Sequence, residues 1–365
     1  MFYLPGSTQW QVVFMIIKVD GSYGEGGGQI LRSIVSLSAI TGKAIEVTNI
    51  RAKRQNPGLR PQHAVAVRIV ADIFHAAVEN LKVGADWIRF NPPPIDDKFE
   101  DNSTVKINVG TAASIPMILQ TVIPAVSLSD KSLSIEITGG TDVKKSPTTD
   151  YLRYIIREAY RSIGIKFSIE VLKRGYYPKG GGVVKAEIFP CKTPNTLDLI
   201  NTRSLKPKIA NVCCQLPIHV AERQISSALL KLEKNGVQCS NYSSSFETSL
   251  SPGTSVLVHS ESDFGPYVGG DCIGERGKLA ENVGAEAAER YLESYLANVP
   301  VDFNLADMLV LPLCLAKGKS RYRIGKVTEH LKTNLHIVSQ ITGCQYQIEP
   351  VENSYIVNIE GLSYH

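Results

Sequence analysis

The sequence predicts an α/β (α+β) protein: a large domain of three repeated α/β units that carries a small inserted α/β domain. Three observations lead there. Apolar runs of helical length alternate with short β-rich runs along the chain. A helix–turn–strand grammar recurs at one spacing, the mark of internal repetition. That spacing then breaks by about one hundred residues before its last recurrence.

The first unit opens on the apolar helical run Ile34 to Ile40, turns at Thr41-Gly42-Lys43 and continues into the β-rich Ala44 to Thr48. A second helical pattern follows from Gln62 to Phe74. The grammar returns with Ile118 to Leu128, Ser129-Asp130-Lys131, the strand pattern Leu133 to Thr138 and a helix from Thr149 to Ile163. Lys43 to Lys131 is an offset of 88 and His63 to Asp150 one of 87, so the register holds. The third unit reads Met308 to Leu315, Lys317-Gly318-Lys319, a short strand, and a helix from Glu329 to Ile341. Lys131 to Lys319 spans 188 residues, so an insertion separates units two and three. It is expected over 187–276, after Tyr176-Tyr177-Pro178-Lys179-Gly180-Gly181-Gly182, with its own patterns at Ile209 to Leu216, His219 to Asn235 and Ser255 to Ser260. The large domain then takes 15–186 and 277–365. Residues 1–14 read as an N-terminal extension, since Met15 can serve as a start.

Composition agrees with two domains: 365 residues, 43% of them hydrophobic, exceed one ordinary core. No apolar run approaches the ~18 residues of a membrane span. Val12 to Ile17 lacks the basic flank and cleavage site of a signal peptide. Seven cysteines without a C-x-x-C pair, Cys213 and Cys214 adjacent, point to a reducing cytoplasm. A net charge of +4 does not by itself imply a polyanionic partner. Its distribution says more. From Val47 to Ala71 there are five Lys or Arg and no Asp or Glu.

The densest local signal is Gly21-Ser22-Tyr23-Gly24-Glu25-Gly26-Gly27-Gly28-Gln29, running into Arg32 and Ser33. Five glycines in eight positions expose backbone N–H groups before a helix N-terminus, an arrangement that favours anions. Glu25 inside that loop would repel phosphate unless a cation bridged them, which points to Mg²⁺ or Mn²⁺. No Gly-Lys-Ser/Thr closes a Walker loop, and Gln29 occupies the third glycine position of a dinucleotide fingerprint. Taken alone, the block reads more readily as a tight strand–helix turn than as a phosphate site. In the basic segment, Pro57, Gly58 and Pro61 stiffen a chain whose arginines suit bidentate phosphate recognition. His330 and His336 lie six apart and do not share a helix face as a metal pair would.

These blocks do not stand alone. Ile50-Arg51-Ala52-x-Arg54, Pro57-Gly58-Leu59, Gln62-His63, Gly139-Gly140-Thr141-Asp142, Tyr177-Pro178-x-Gly180-Gly181-Gly182, Leu305-Ala306-Asp307 and Glu329-His330-Leu331-x-Thr333-Asn334 follow in order. With the glycine block they resemble the RNA 3'-terminal phosphate cyclases, from about residue 18 to the C-terminus. The resemblance implies a fold of three repeats with an insert. It also implies ATP-dependent conversion of an RNA 3'-phosphate to a 2',3'-cyclic phosphodiester, with AMP and pyrophosphate released. His330 matches the nucleophile that becomes adenylylated, and an imidazole of ordinary pKa, about 6.5, is neutral for that task. Glu25 matches the carboxylate for Mg²⁺ or Mn²⁺. Arg32, Arg51, Arg54, Gln62 and His63 match the grip on the RNA phosphate. Gln120, Pro147, Tyr151 and the stretch Asn304, Leu305, Ala306, Asp307, Met308 match the ATP pocket. Asn304 departs from the pattern, which tends to place an aromatic ring there. The resemblance assigns no residue of the insert and allows a homo-oligomer. A silent cyclase-like ribosome-assembly protein would lack His330, and an enolpyruvyl transferase would need a different constellation.

Overall fold

The computed structural model describes residues 16–93, 104–202, 204–260 and 265–362. The expected extension, residues 1–14, lies outside them. Three four-stranded sheets share one strand order. In the first, Ile17–Asp20 runs parallel to Ile45–Thr48, followed by antiparallel Ile88–Asn91 and, at the edge, Ala77–Glu79. The second repeats this with Thr104–Asn108, Leu133–Gly139, Gly182–Ile188 and Phe167–Lys173. The third uses Asp198–Leu199, Gly318–Ile324, Ser354–Gly361 and Gln345–Val351.

Each parallel pair is joined through helix: Gly28–Thr41, then Ile115–Ser127, then Phe303–Met308 with Val310–Cys314. Each unit has a further helical segment: Pro61–Phe74, then Thr149–Tyr151 running through a π turn at Leu152–Ile156 into Arg157–Ser162, then Glu329–Thr342. Local chemistry explains the ends. Ser114 and Thr328 accept backbone N–H bonds at helix starts, and Gly42 and Gly343 close helices with left-handed backbone. Strict alternation buries Leu133, Ile135 and Ile137 on one face of their strand. The Gly28–Thr41 helix packs against both Ile115–Ser127 and Glu329–Thr342, so one core spans the three units.

The insert has its own sheet, ordered Asn241–Phe246, Lys208–Cys214, Gly253–Ser260, Val268–Ile273. Helices Ile218–Glu233 and Ala280–Leu296 cover it and share a separate core with Val256, Val258 and Val268. Its edges differ from the expected 187–276. Glu187 pairs with Ser134 and Ser168 in the second sheet. At the other end Val283, Ala287 and Tyr291 belong to the insert's core. The insertion therefore falls within the third unit, between Leu199 and Asp302. A two-residue strand at Asp198–Leu199 has no periodicity to betray it.

Buried Arg174 joins the modules. Its guanidinium bonds Asp142 and Asp150 of the second unit and Glu247 of the insert. Among the described residues no helix is long and apolar enough to cross a membrane.

Candidate active site

The glycine loop lies between the first strand and the Gly28–Thr41 helix, held from two sides. Gly24 has φ +56°, and a Cβ there would sit 2.2 Å from Thr333 Oγ1. A Cβ on Gly28 would sit 2.1 Å from His63 Nε2. Both positions need glycine because two helices press against the loop, Pro61–Phe74 of the same unit at Gly28 and Glu329–Thr342 of the third unit at Gly24. Thr328 caps the Glu329–Thr342 helix, which puts His330 in its first turn beside the loop.

Gln29 fixes His330. Its Nε2 donates to the His330 carbonyl at 2.8 Å, and its Oε1 meets His330 Nδ1. With the Gln29 oxygen as acceptor, Nδ1 carries the proton and Nε2 keeps its lone pair. Nε2 lies 3.3 Å from Glu25 Oε2, which also takes an ion pair from Arg54 at 2.8 Å. Burial lowers the His330 pKa below the ordinary histidine value; Glu25 opposes this, and Arg32 and Arg54 add to it. The imidazole is neutral at pH 7.

The expected phosphate-gripping residues separate into kinds. Arg54 reaches Glu25, and neighbouring Lys53 donates to the Gly24 carbonyl. Arg51, with φ +55°, donates to the carbonyls of Asn56 and Gly58 and so braces its own loop. Gln62 turns its amide to Met117 Sδ. His63 is buried, and desolvation with Arg32, Arg51 and Arg60 pushes its pKa down to about 3. It is a neutral ring under the glycine loop. Arg32 is drawn down to about 10 by burial, with Asp307 opposing. Asp307 is pushed up to about 7 by burial against the pull of Arg32.

A cavity of about 670 Å³ opens beside His330. Its wall includes Arg32, Gln120, Pro147, Tyr151, Asn304, Asp307 and Met308, so most expected nucleotide-pocket residues meet there. Leu305 and Ala306 do not line it; both are fully buried in the main core. Gln120 Nε2 and Arg32 Nη1 are buried donors without a hydrogen-bond partner among the described residues. The Tyr151 hydroxyl is committed to Asp302, whose carboxylate also accepts from the Asn304 and Leu305 amides. Burial pushes Asp302 up to about 6.

Sequence reasoning missed several residues of this site. Gln29 drew attention only as the break in a dinucleotide pattern. Phe303 lines the cavity one residue before Asn304, where an aromatic ring had seemed absent. The insert supplies a wall through Asp271, Cys272, Lys278, Glu286 and Arg290. Asn334 accepts from Ser33 and donates to the Asp307 carbonyl, tying three elements; its place in the Glu-His-Leu-x-Thr-Asn block was the available signal. The His336 ring, on another face of the helix from His330, stacks on Tyr23 of the glycine loop.

The model of one protein family, RNA 3'-terminal phosphate cyclase, matches residues 23–348. The chain belongs to that family. Among RNA 3'-terminal phosphate cyclases, the protein of Pyrobaculum neutrophilum is 40% identical over 352 residues, covering 96% of this chain and 100% of the relative. That of Archaeoglobus fulgidus is 38% identical over 330 residues, 90% of this chain and 96% of the relative. That of Pyrococcus abyssi is 39% identical over 335 residues, 92% and 95%. Membership of the cyclase family takes in the glycine loop from Tyr23 onward, the basic segment, the insert and the His330 helix alike, since all lie within the matched span.

Proposed function

We propose that this chain uses ATP to close a 3'-terminal phosphate of RNA into a 2',3'-cyclic phosphodiester, with His330 as the transient carrier of AMP. One observation carries the reading: Gln29 ties down Nδ1 of His330 and leaves Nε2 facing Glu25, the partner of Arg54, at the mouth of a nucleotide-sized cavity. Nε2 attacks the α-phosphorus of ATP, an N–P bond forms, and the bond to pyrophosphate breaks. A 3'-phosphate oxygen of the RNA then attacks the same phosphorus, freeing the imidazole and leaving an anhydride. The vicinal 2'-hydroxyl closes on the RNA phosphorus, loses its proton and expels AMP. Negative charge gathers at phosphorus in each step, which the fixed guanidinium groups of Arg32 and Arg54 oppose.

The residues present accommodate a divalent ion in a limited way. No cluster of three metal-ligating side chains exists among the described residues. A single carboxylate, Glu25, in an anion-favouring glycine loop suits Mg²⁺ or Mn²⁺, which takes remaining ligands from phosphates and water. Bound there, the ion would screen phosphate charge. The orphan donors of Gln120 and Arg32 favour a polar ligand such as ATP in the cavity. The seven cysteines are free thiols, in keeping with a reducing cytoplasm.

The test is AMP labelling. Protein mixed with ATP labelled at the α-phosphate should retain label after denaturation. Adding RNA with a 3'-phosphate should discharge the label and yield cyclic ends. Label that never becomes covalent while cyclic ends still accumulate would overturn the histidine route.

A further inference from the structure

We propose that the stacked pair Tyr23–His336 is a platform for a nucleobase near the 3' end of the bound RNA. The inference rests on the reading of RNA as substrate and adds a base-contacting subsite to it. The two rings lie 4.1 Å apart between centroids and 13° from parallel, yet Tyr23 keeps 42% of its surface exposed. Its loop is the one that carries Glu25, two residues further on, in contact with His330. His336 lies six residues beyond His330 on the same helix, about 9 Å along its axis at 1.5 Å per residue. That is a short reach from a phosphate at His330 to a base of the same strand.

The platform is rigid. Gly24, in left-handed backbone, leaves no room for a side chain against Thr333, so loop and helix are closely packed there. Lys53 Nζ, bonded to the Gly24 carbonyl at 3.2 Å, places a cation on the residue next to Tyr23, and Arg54 follows on Glu25. A fixed aromatic face flanked by cations is the combination that holds single-stranded nucleic acid: bases stack, phosphates pair. Every base has such a face, so the subsite reads the presence of a base and tolerates its identity.

The experiment measures affinity by fluorescence anisotropy for a 3'-phosphorylated oligoribonucleotide and for the same strand abasic at its last two positions. The unaltered protein should prefer the complete strand by roughly 5- to 100-fold, the range of one base–aromatic stack. Tyr23→Ala should erase that preference and Tyr23→Phe should keep it. The proposal is overturned if Tyr23→Ala keeps the full preference, if it weakens both strands equally, or if the unaltered protein shows no preference. Absence of any affinity for RNA in the unaltered protein would instead remove the RNA reading itself, and this inference with it.

Discussion

Gln29 holds His330 through both atoms of its side-chain amide, one on the imidazole Nδ1 and one on the backbone carbonyl, across 301 residues of sequence. The contact sets tautomer, ring orientation and the height of the helix start together. Gln29→Ala removes two hydrogen bonds worth about 0.5–1.5 kcal/mol each, so AMP attachment should slow about 5- to 100-fold. Gln29→Glu should instead stabilise the protonated imidazole and shift the acid limb of the adenylylation profile to higher pH. Rates of enzyme–AMP formation from pH 5 to 8 check both; an unmoved profile in Gln29→Glu would remove the tautomer argument.

His330→Asn should abolish enzyme–AMP formation and RNA cyclisation together. Asparagine keeps polarity near Gln29 but presents no basic nitrogen. Labelled AMP on denatured protein and cyclic ends on RNA are scored separately. Because burial holds the His330 pKa below its ordinary value, the acid limb of unaltered adenylylation should have its midpoint at a lower pH than an ordinary histidine would give.

Arg51→Ala and Arg54→Ala should diverge. Arg54 reaches Glu25 and the reactive imidazole's surroundings, while Arg51 is spent on the carbonyls of its own loop. Arg54→Ala should reduce phosphate capture by about 10- to 100-fold, as for a charged hydrogen bond of about 1.5–3 kcal/mol. Arg51→Ala should chiefly loosen the segment, visible as faster amide exchange over residues 51–60. Equal kinetic losses in the two variants would show that Arg51 turns to the ligand when it binds.

Asp307 gives a pH-dependent stability test. Its carboxyl, pushed up to about 7, keeps its proton in the fold over a range where the unfolded chain, near 3.8, has lost it. The folded state binds more protons there, so this group's contribution falls as pH rises from about 4 to 7. Asp307→Asn removes the effect, so its Tm relative to the unaltered protein should climb between pH 5 and pH 8 without ligand. A constant difference would mean that Arg32 keeps Asp307 ionised throughout.

Arg174→Met should destabilise the protein by about 3–5 kcal/mol, since three carboxylates lose their shared buried cation. Denaturant melts followed separately in the two modules should show whether the insert uncouples first.

Much of the fold was legible because repetition is written in burial. Ile34, Ile118 and Leu331 recur on helices that face one core, and the strands after the first two of those helices alternate inward and outward. The edges of the insert were not legible, because Asp198–Leu199 pairs through its backbone and leaves no pattern in its side chains. The gathering of Glu25, Arg54 and His330 came from resemblance, since only folding brings residues from opposite ends of the chain together. Gln29 escaped notice for the same reason. Leu305 and Ala306 sat in the matching motif, yet the helix turns them inward and leaves Asn304, Asp307 and Met308 on the cavity.

The insertion that divides the third unit also sets a clock on its assembly. Asp198 and Arg321, partners across a parallel strand pair and an ion pair, stand 123 residues apart in the chain. At about 5–20 residues per second, a ribosome needs about 6 to 25 s to deliver the second after the first. During that interval the first two units have all their strands, while Asp198–Leu199 waits alone for its neighbour. Loop-closure entropy grows only with the logarithm of length, so the delay adds little energetic cost. The His330 helix is the last helix to arrive, with only the strands Gln345–Val351 and Ser354–Gly361 behind it. A nascent chain cut short before that helix lacks His330 and the Gln29 contact, so the proposed carrier site is completed only late in synthesis.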